Sequence, residues 1–171
     1  MTVRLRPLRE ADLRPLYDWQ RDPALYDHLV GTQRDVTWDE ARAWMIRHWI
    51  PQDRDRRYAL CPADSGEIVG AVYLLAVDGA QQALAFHIFI GDRTQRARGL
   101  GRAALQEALH IAFDDLGAEE IRLEVLASND RARRIYDDAG FIETGRRLVD
   151  KRSGPVEAVA MALSRDAYRA R

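Results

Sequence analysis

The sequence predicts an α/β fold, a mixed and mostly antiparallel sheet with helices on both faces. Three observations carry this. Three β-rich runs follow one another between Tyr58 and Ile90, with only turn-forming residues between them. A long amphipathic helix then spans Gly99–Leu116. The remainder reads strand, helix and final hairpin. Consecutive hairpin strands followed by a β-α-β-α unit require antiparallel and parallel neighbours in one sheet, covered on both sides. The predicted order is β α α β β β α β α β β.

Each element has a local reason. Val3–Pro7 alternates apolar and polar residues and reads as a short strand. Glu10–Trp19 places Leu13, Leu16 and Tyr17 on one helical face, and Asp22-Pro23 punctuates the chain after it. Thr37-Trp38-Asp39-Glu40 is a capping box, so a helix starts there and runs to about Ile50, before Pro51. Tyr58–Cys61 and Ile68–Val77 flank Ala63-Asp64-Ser65-Gly66 as a hairpin. Asp78-Gly79 is a second hairpin turn leading to strand Leu84–Ile90. In Gly99–Leu116 the apolar stripe is Leu100, Ala104, Leu105, Ala108, Leu109, Ala112, Phe113 and Leu116, closed by Gly117. Ile121–Leu126 alternates as a strand. Ser128 or Asn129 caps a helix to Ala139, ended by Gly140. Phe141–Val149 and Val156–Leu163 form a hairpin about Lys151-Arg152-Ser153-Gly154.

Composition narrows the function. A chain of 171 residues is expected to form one domain over 1–171, with a real core. Lys+Arg is 26 and Asp+Glu is 27, which predicts no nucleic-acid partner. Lys151 is the only lysine among those 26 cations. Cys61 is the only cysteine, so no internal disulfide forms, in keeping with a cytoplasmic location. Met1–Arg6 has no apolar signal region, and Ile68–Val77, the longest nearly uncharged run, falls short of the ~20 residues of a membrane span. No membrane association and no metal site are expected.

The segment Gln95-Arg96-Ala97-Arg98-Gly99-Leu100-Gly101-Arg102 follows a strand and opens a helix. Backbone N–H groups at a helix start attract anions, and the helix dipole adds about half a positive charge. Gly99 and Gly101 lack Cβ atoms, so a phosphate can approach the chain. Arg96, Arg98 and Arg102 add charge. Gly99–Ala104 also fits the dinucleotide fingerprint G-x-G-x-x-A, but Gly91–Arg98 separates it from its strand. A Walker loop needs a lysine and a hydroxyl that are absent. A plain helix start with surface arginines is the remaining alternative.

Downstream, Asn129, Ala132, Tyr136, Gly140 and Phe141 form an N-x-x-A-x-x-x-Y-x-x-x-G-F run. Together with the R-x-x-G-x-G loop, this resembles the GNAT superfamily of acetyl-CoA-dependent N-acetyltransferases. The motifs cover about Leu84 to Phe141, and the order of elements fits a GNAT-type sheet. The resemblance implies acetyl-CoA as cosubstrate, bound by Arg96, Ala97, Arg98, Gly99, Leu100, Gly101 and Arg102. It implies that free backbone groups near Phe89 and Ile90 pair with the pantetheine, and that Asn129 contacts cofactor or caps its helix. Tyr136 matches the tyrosine that protonates the leaving thiolate. The thioester is already activated, so a primary amine attacks it directly.

Many family members carry a glutamate near the position of Ala85, and this sequence has none there. His87 lies two residues on, on the same strand face, and is the expected base, directly or through water. Asp27, His28, Asp35 and His48 are the other options. Trp19, Trp38, Trp44 and Trp49 fall in the region that forms the acceptor wall in this family, with Trp44 and Trp49 expected in the core. Asp18, Asp22, Asp27, Asp35 and Asp39 suit a cationic amine. The segments around Trp19 and Trp38 resemble ribosomal-protein N-terminal and amino-sugar acetyltransferases, and the later motifs resemble aminoglycoside 6′-N-acetyltransferases. A small-molecule amine is the favoured acceptor. A protein N-terminus and a non-catalytic acyl-CoA-binding regulator are the alternatives. The edge of the last hairpin leaves a homodimer open.

Overall fold

A computed structural model describes residues 2–31, 35–77 and 82–171. The expected turn at Asp78-Gly79 lies outside them. Strands β1 (Val3–Pro7), β2 (Arg56–Pro62), β3 (Gly70–Ala76), β4 (Ala83–Ile90), β5 (Glu120–Leu126), β6 (Ile142–Lys151) and β7 (Gly154–Ser164) form one sheet in the order β1-β2-β3-β4-β5-β7-β6. All neighbours are antiparallel except β4 and β5. Helices α1 (Leu13–Gln20), α2 (Pro23–Tyr26) and α3 (Trp38–His48) belong to one side of the sheet. Helices α4 (Leu100–His110) and α5 (Asp130–Asp138) cover the other.

The alternation of the strands builds two cores. Leu60, Val72, Leu84, Phe86, Ile121 and Leu123 cluster with the apolar stripe of α4. On the reverse face Ala59, Cys61, Ala71 and Phe89 meet Leu13, Leu16, Met45 and Trp49. Burial raises the Cys61 thiol pKa, so it is an inert packing group.

Several boundaries differ from expectation for local reasons. The helix expected from Glu10 opens as a single 3-10 turn, Glu10–Asp12. There the Asp12 carboxylate accepts the Arg9 N–H and a two-pronged bond from Arg6, at 2.7 and 2.8 Å. The capping box at Thr37 forms, with Glu40 reaching back to the Thr37 N–H, but α3 stops at His48 rather than Ile50. The long helix is α-helical only to His110, and Ile111–Asp115 widens into a π turn, where the Leu116 N–H reaches back to Ile111. Helix α2 and the terminal helix α6 (Arg165–Arg169) were not expected. They begin at Asp22 and Ser164, whose side chains accept the N–H groups of Ala24 and Ala167.

Candidate active site

β4 and β5 share only three register pairs, Ala83 to Ala85 against Glu120 to Arg122. β5 continues along β7 to Leu126, while β4 continues along β3 to Ile90. Past Ala85 the two parallel strands therefore part, and a gap opens in the middle of the sheet. Backbone parity decides which groups face it. The Ala83 carbonyl accepts from Val77 on the β3 side, whereas the Gln82 carbonyl accepts from Glu119 on the β5 side. Odd-numbered residues of β4 therefore bond to β3, and even-numbered ones face the gap. This corrects the expectation for Phe89, whose peptide group belongs to the β3 ladder opposite Ala71. Ile90 does face the gap, but its carbonyl accepts Arg96 Nε at 2.9 Å. Ile88, which sequence reasoning missed, presents the open peptide group.

The glycine-rich loop leads from the end of β4 into α4. Ala97 and Gly99 both take left-handed backbone conformations, at φ 66 and 84°. Gly99 is the N-cap, and no side chain caps this helix end. A Cβ built on Gly99 or Gly101 would meet nothing within 4 Å. The protein's own packing therefore leaves this surface clear, which suits a phosphate on the exposed N–H groups. Beside it lies a cavity of about 470 Å³ lined by Gly99, Arg102, Asp130, Arg131, Arg134 and Ile135. Arg131 and Arg134 escaped the sequence reading; their spacing on the first turns of α5 was the available signal. The three loop arginines differ. Arg96 braces the carbonyls of Ile90 and Gly91, Arg98 donates to Gln95 at 2.6 Å, and Arg102 reaches Asp138 at 2.6 Å. The open cradle, uncapped helix start and arginine-lined cavity fit a CoA pyrophosphate.

Tyr136 and His87 lie on opposite faces of the sheet. Tyr136 stands edge-on to Phe86 and Phe141, with ring centroids at 6.2 and 5.8 Å, and is 8% exposed. Burial pushes its pKa up to about 12, so the phenol keeps its proton. Its hydroxyl is not among the buried oxygens left without a partner; of the described side chains only Tyr73 is in that position. Tyr73 faces His87 across the β3–β4 ladder. The imidazole of His87 is open to solvent, yet partial desolvation by surrounding protein draws its pKa below the ordinary value. The Glu124 carboxylate opposes that shift and the Arg57 guanidinium reinforces it. Glu124 is a second residue that the sequence reading missed. It is gripped by Arg147 at 2.6 and 2.7 Å, and that grip, more than its own desolvation, keeps its carboxyl below the usual range.

Asn129 caps α5 through Ala132 at 3.2 Å and donates to the His28 carbonyl at 3.4 Å. Trp49 is buried as expected, but Trp44 is 48% exposed and lies against His48 and Trp49, so the core expectation fails for it. Of the acidic residues, Asp18 pairs with Arg14 and Asp22 with Arg93. Asp35 stands 3.8 Å from Arg21 and is almost fully exposed.

The model of the acetyltransferase (GNAT) domain matches residues 2–142. The chain belongs to the GNAT acetyltransferase family. This GNAT acetyltransferase is 26% identical over 141 residues to the spermidine N(1)-acetyltransferase of Vibrio cholerae, covering 82% of this chain and 79% of that protein. It is 25% identical to an aminoglycoside N(6′)-acetyltransferase type 1 of Klebsiella pneumoniae, covering 98% and 85%. Its fold superposes on the crystal structure of the V. cholerae spermidine N-acetyltransferase in complex with CoA and spermine. The TM-score is 0.88 at 22% identity, over 98% of both chains. The chain is an acetyl-CoA-dependent N-acetyltransferase. Among the described residues no helix is long and apolar enough to cross a membrane.

Proposed function

We propose that this enzyme acetylates a small polycationic amine of the polyamine or aminosugar type, with His87 as proton acceptor and Tyr136 as hydrogen-bond donor to the leaving sulfur. The observation that carries the reading is the place of His87 on the α1–α3 face of the sheet at the strand that borders the gap, with Tyr136 on the opposite face. The names of the relatives, spermidine and aminoglycoside acetyltransferases, support the same acceptor class. The same reading treats 1–171 as one transfer domain working in the cytoplasm.

Acetyl-CoA supplies an activated thioester, so the chain needs no nucleophile of its own. The α4 start, with Gly99 and Gly101, holds the pyrophosphate, and Ile88 offers its peptide group to the pantetheine amides. Glu124, its charge balanced by the two-pronged bond from Arg147, gives the acceptor side a fixed polar wall next to His87. His87, largely neutral near pH 7, takes one proton as the C–N bond forms and the C–S bond breaks. A phenol of pKa about 12 would lose roughly 5 kcal/mol in handing its proton to a thiolate of ordinary pKa ~8.5. Tyr136 therefore stabilises the developing charge by donating a hydrogen bond and keeps its proton.

Thiol release measured with spermidine, an aminoglycoside and a peptide bearing a free N-terminus tests the assignment. Polycations should give the highest kcat/KM. That constant should rise with pH through an apparent pKa below about 6.5, a step missing in His87→Ala. Preference for the peptide would overturn the acceptor class. Tight CoA binding without turnover of any amine would point to an acyl-CoA-binding regulator.

A further inference from the structure

Lys151 stands alone as a lysine in a chain whose every other basic side chain, histidine aside, is arginine. It lies at the turn end of β6, far in sequence from the acceptor-side helices. Its Nζ donates to the carbonyls of Tyr26 at 3.1 Å, Leu29, and Gly31 at 2.7 Å. An ammonium has three N–H donors in a tetrahedral arrangement, and here three convergent carbonyls receive them. A guanidinium presents its donors in one plane and cannot serve such a set. The geometry accounts for a lysine at this one position.

The captured segment has a definite place. It begins where Asp22 grips Arg93, just past the end of β4. It continues past Asn129, which donates to the His28 carbonyl at the start of α5. Val30 then packs on Leu126, Val149 and Ala158. Residues 22–31 are thus tied near β4, beyond β5 and at β6, and so span the mouth of the gap. The Asp27 carboxylate faces the same ammonium.

We propose that Lys151 is a positioning residue for the transfer reaction, holding segment 26–31 in place as a wall of the acceptor site. It touches neither the reacting atoms nor the cofactor loop. The inference rests on the acceptor-side reading above, but the clamp can be tested without it.

Lys151→Met keeps the aliphatic stem and removes all three bonds. The amides of residues 26–31 should exchange with deuterium at least about tenfold faster, while those of β4 and α4 are unchanged. With the best amine substrate, KM for the amine should rise about tenfold or more and CoA affinity should hold within twofold. Lys151→Arg retains the charge but should recover little of that KM. Unchanged exchange at 26–31 would refute the clamp, whatever the acceptor proves to be. Faster exchange with an unchanged amine KM would refute the positioning role. Full rescue by arginine would make the role one of charge alone and overturn the geometric argument. A wild type that turns over peptides instead of polycations would sink the acceptor class and leave the exchange result standing.

Discussion

Gly91 joins β4 to the cofactor loop, and the indole of Trp19 lies directly over it. A Cβ added at Gly91 would stand 2.0, 2.3 and 2.4 Å from three ring atoms of Trp19. Ordinary carbon contacts are about 3.5–4.0 Å, so the indole must move by roughly 1.5 Å. The backbone of Gly91 does not have a positive φ, so alanine meets no torsional strain. Overpacking costs about 1–3 kcal/mol, and the entropy removed from the unfolded chain returns about 0.4–1. Gly91→Ala should therefore lose a net 1–2 kcal/mol or so. For 171 residues the unfolding entropy is near 0.36 kcal/mol/K, so Tm should fall by about 3–6 °C. Scanning calorimetry on four proteins (wild type, Gly91→Ala, Trp19→Ala and the double variant) checks this. With Trp19 reduced to alanine the clash disappears, and Gly91→Ala should then stabilise the protein. A Gly91→Ala that stabilises the otherwise wild-type protein would refute the steric argument.

Three further outcomes are expected. Gly101→Glu should preserve Tm within about 2 °C, since the added side chain starts in open space, and should weaken CoA binding at least tenfold by calorimetry. Tyr136→Phe should lower kcat about 10²-fold with little change in CoA affinity; unaltered turnover in steady-state kinetics rules the hydroxyl out. Asp12 is buried, which pushes its pKa up, but the bonds from Arg6 and the Arg9 N–H outweigh this and leave it lowered. Its stabilisation is then present above the unfolded carboxyl value of about 3.9 and is lost as pH falls through the lower folded value. Asp12→Asn should cost about 3 kcal/mol in urea unfolding at pH 7. The difference from wild type should shrink steadily below about pH 4.

The sequence alone determined what neighbouring residues decide. Thr37 and Glu40 mark a helix start because both partners of the capping box lie within one turn. Gly117 and Gly140 mark helix ends because each stands at positive φ, which other residues resist. The order of elements along the chain followed from turn chemistry and periodicity, and the two motifs around Gly99 and Tyr136 were enough to indicate the family. The tertiary structure decided what depends on contacts between distant segments. Whether Ile88 or Phe89 turns its peptide to the gap depends on hairpin parity, set by the Val77–Ala83 pair and invisible in side-chain patterns. Glu124 reads as an ordinary polar position in an alternating strand; only the sheet places it near His87, a strand away. Gly91 shows no demand in its own backbone, because the demand comes from Trp19. The sole lysine looked like part of a turn. Its three carbonyl partners lie 120 or more residues earlier, a separation no local pattern can encode.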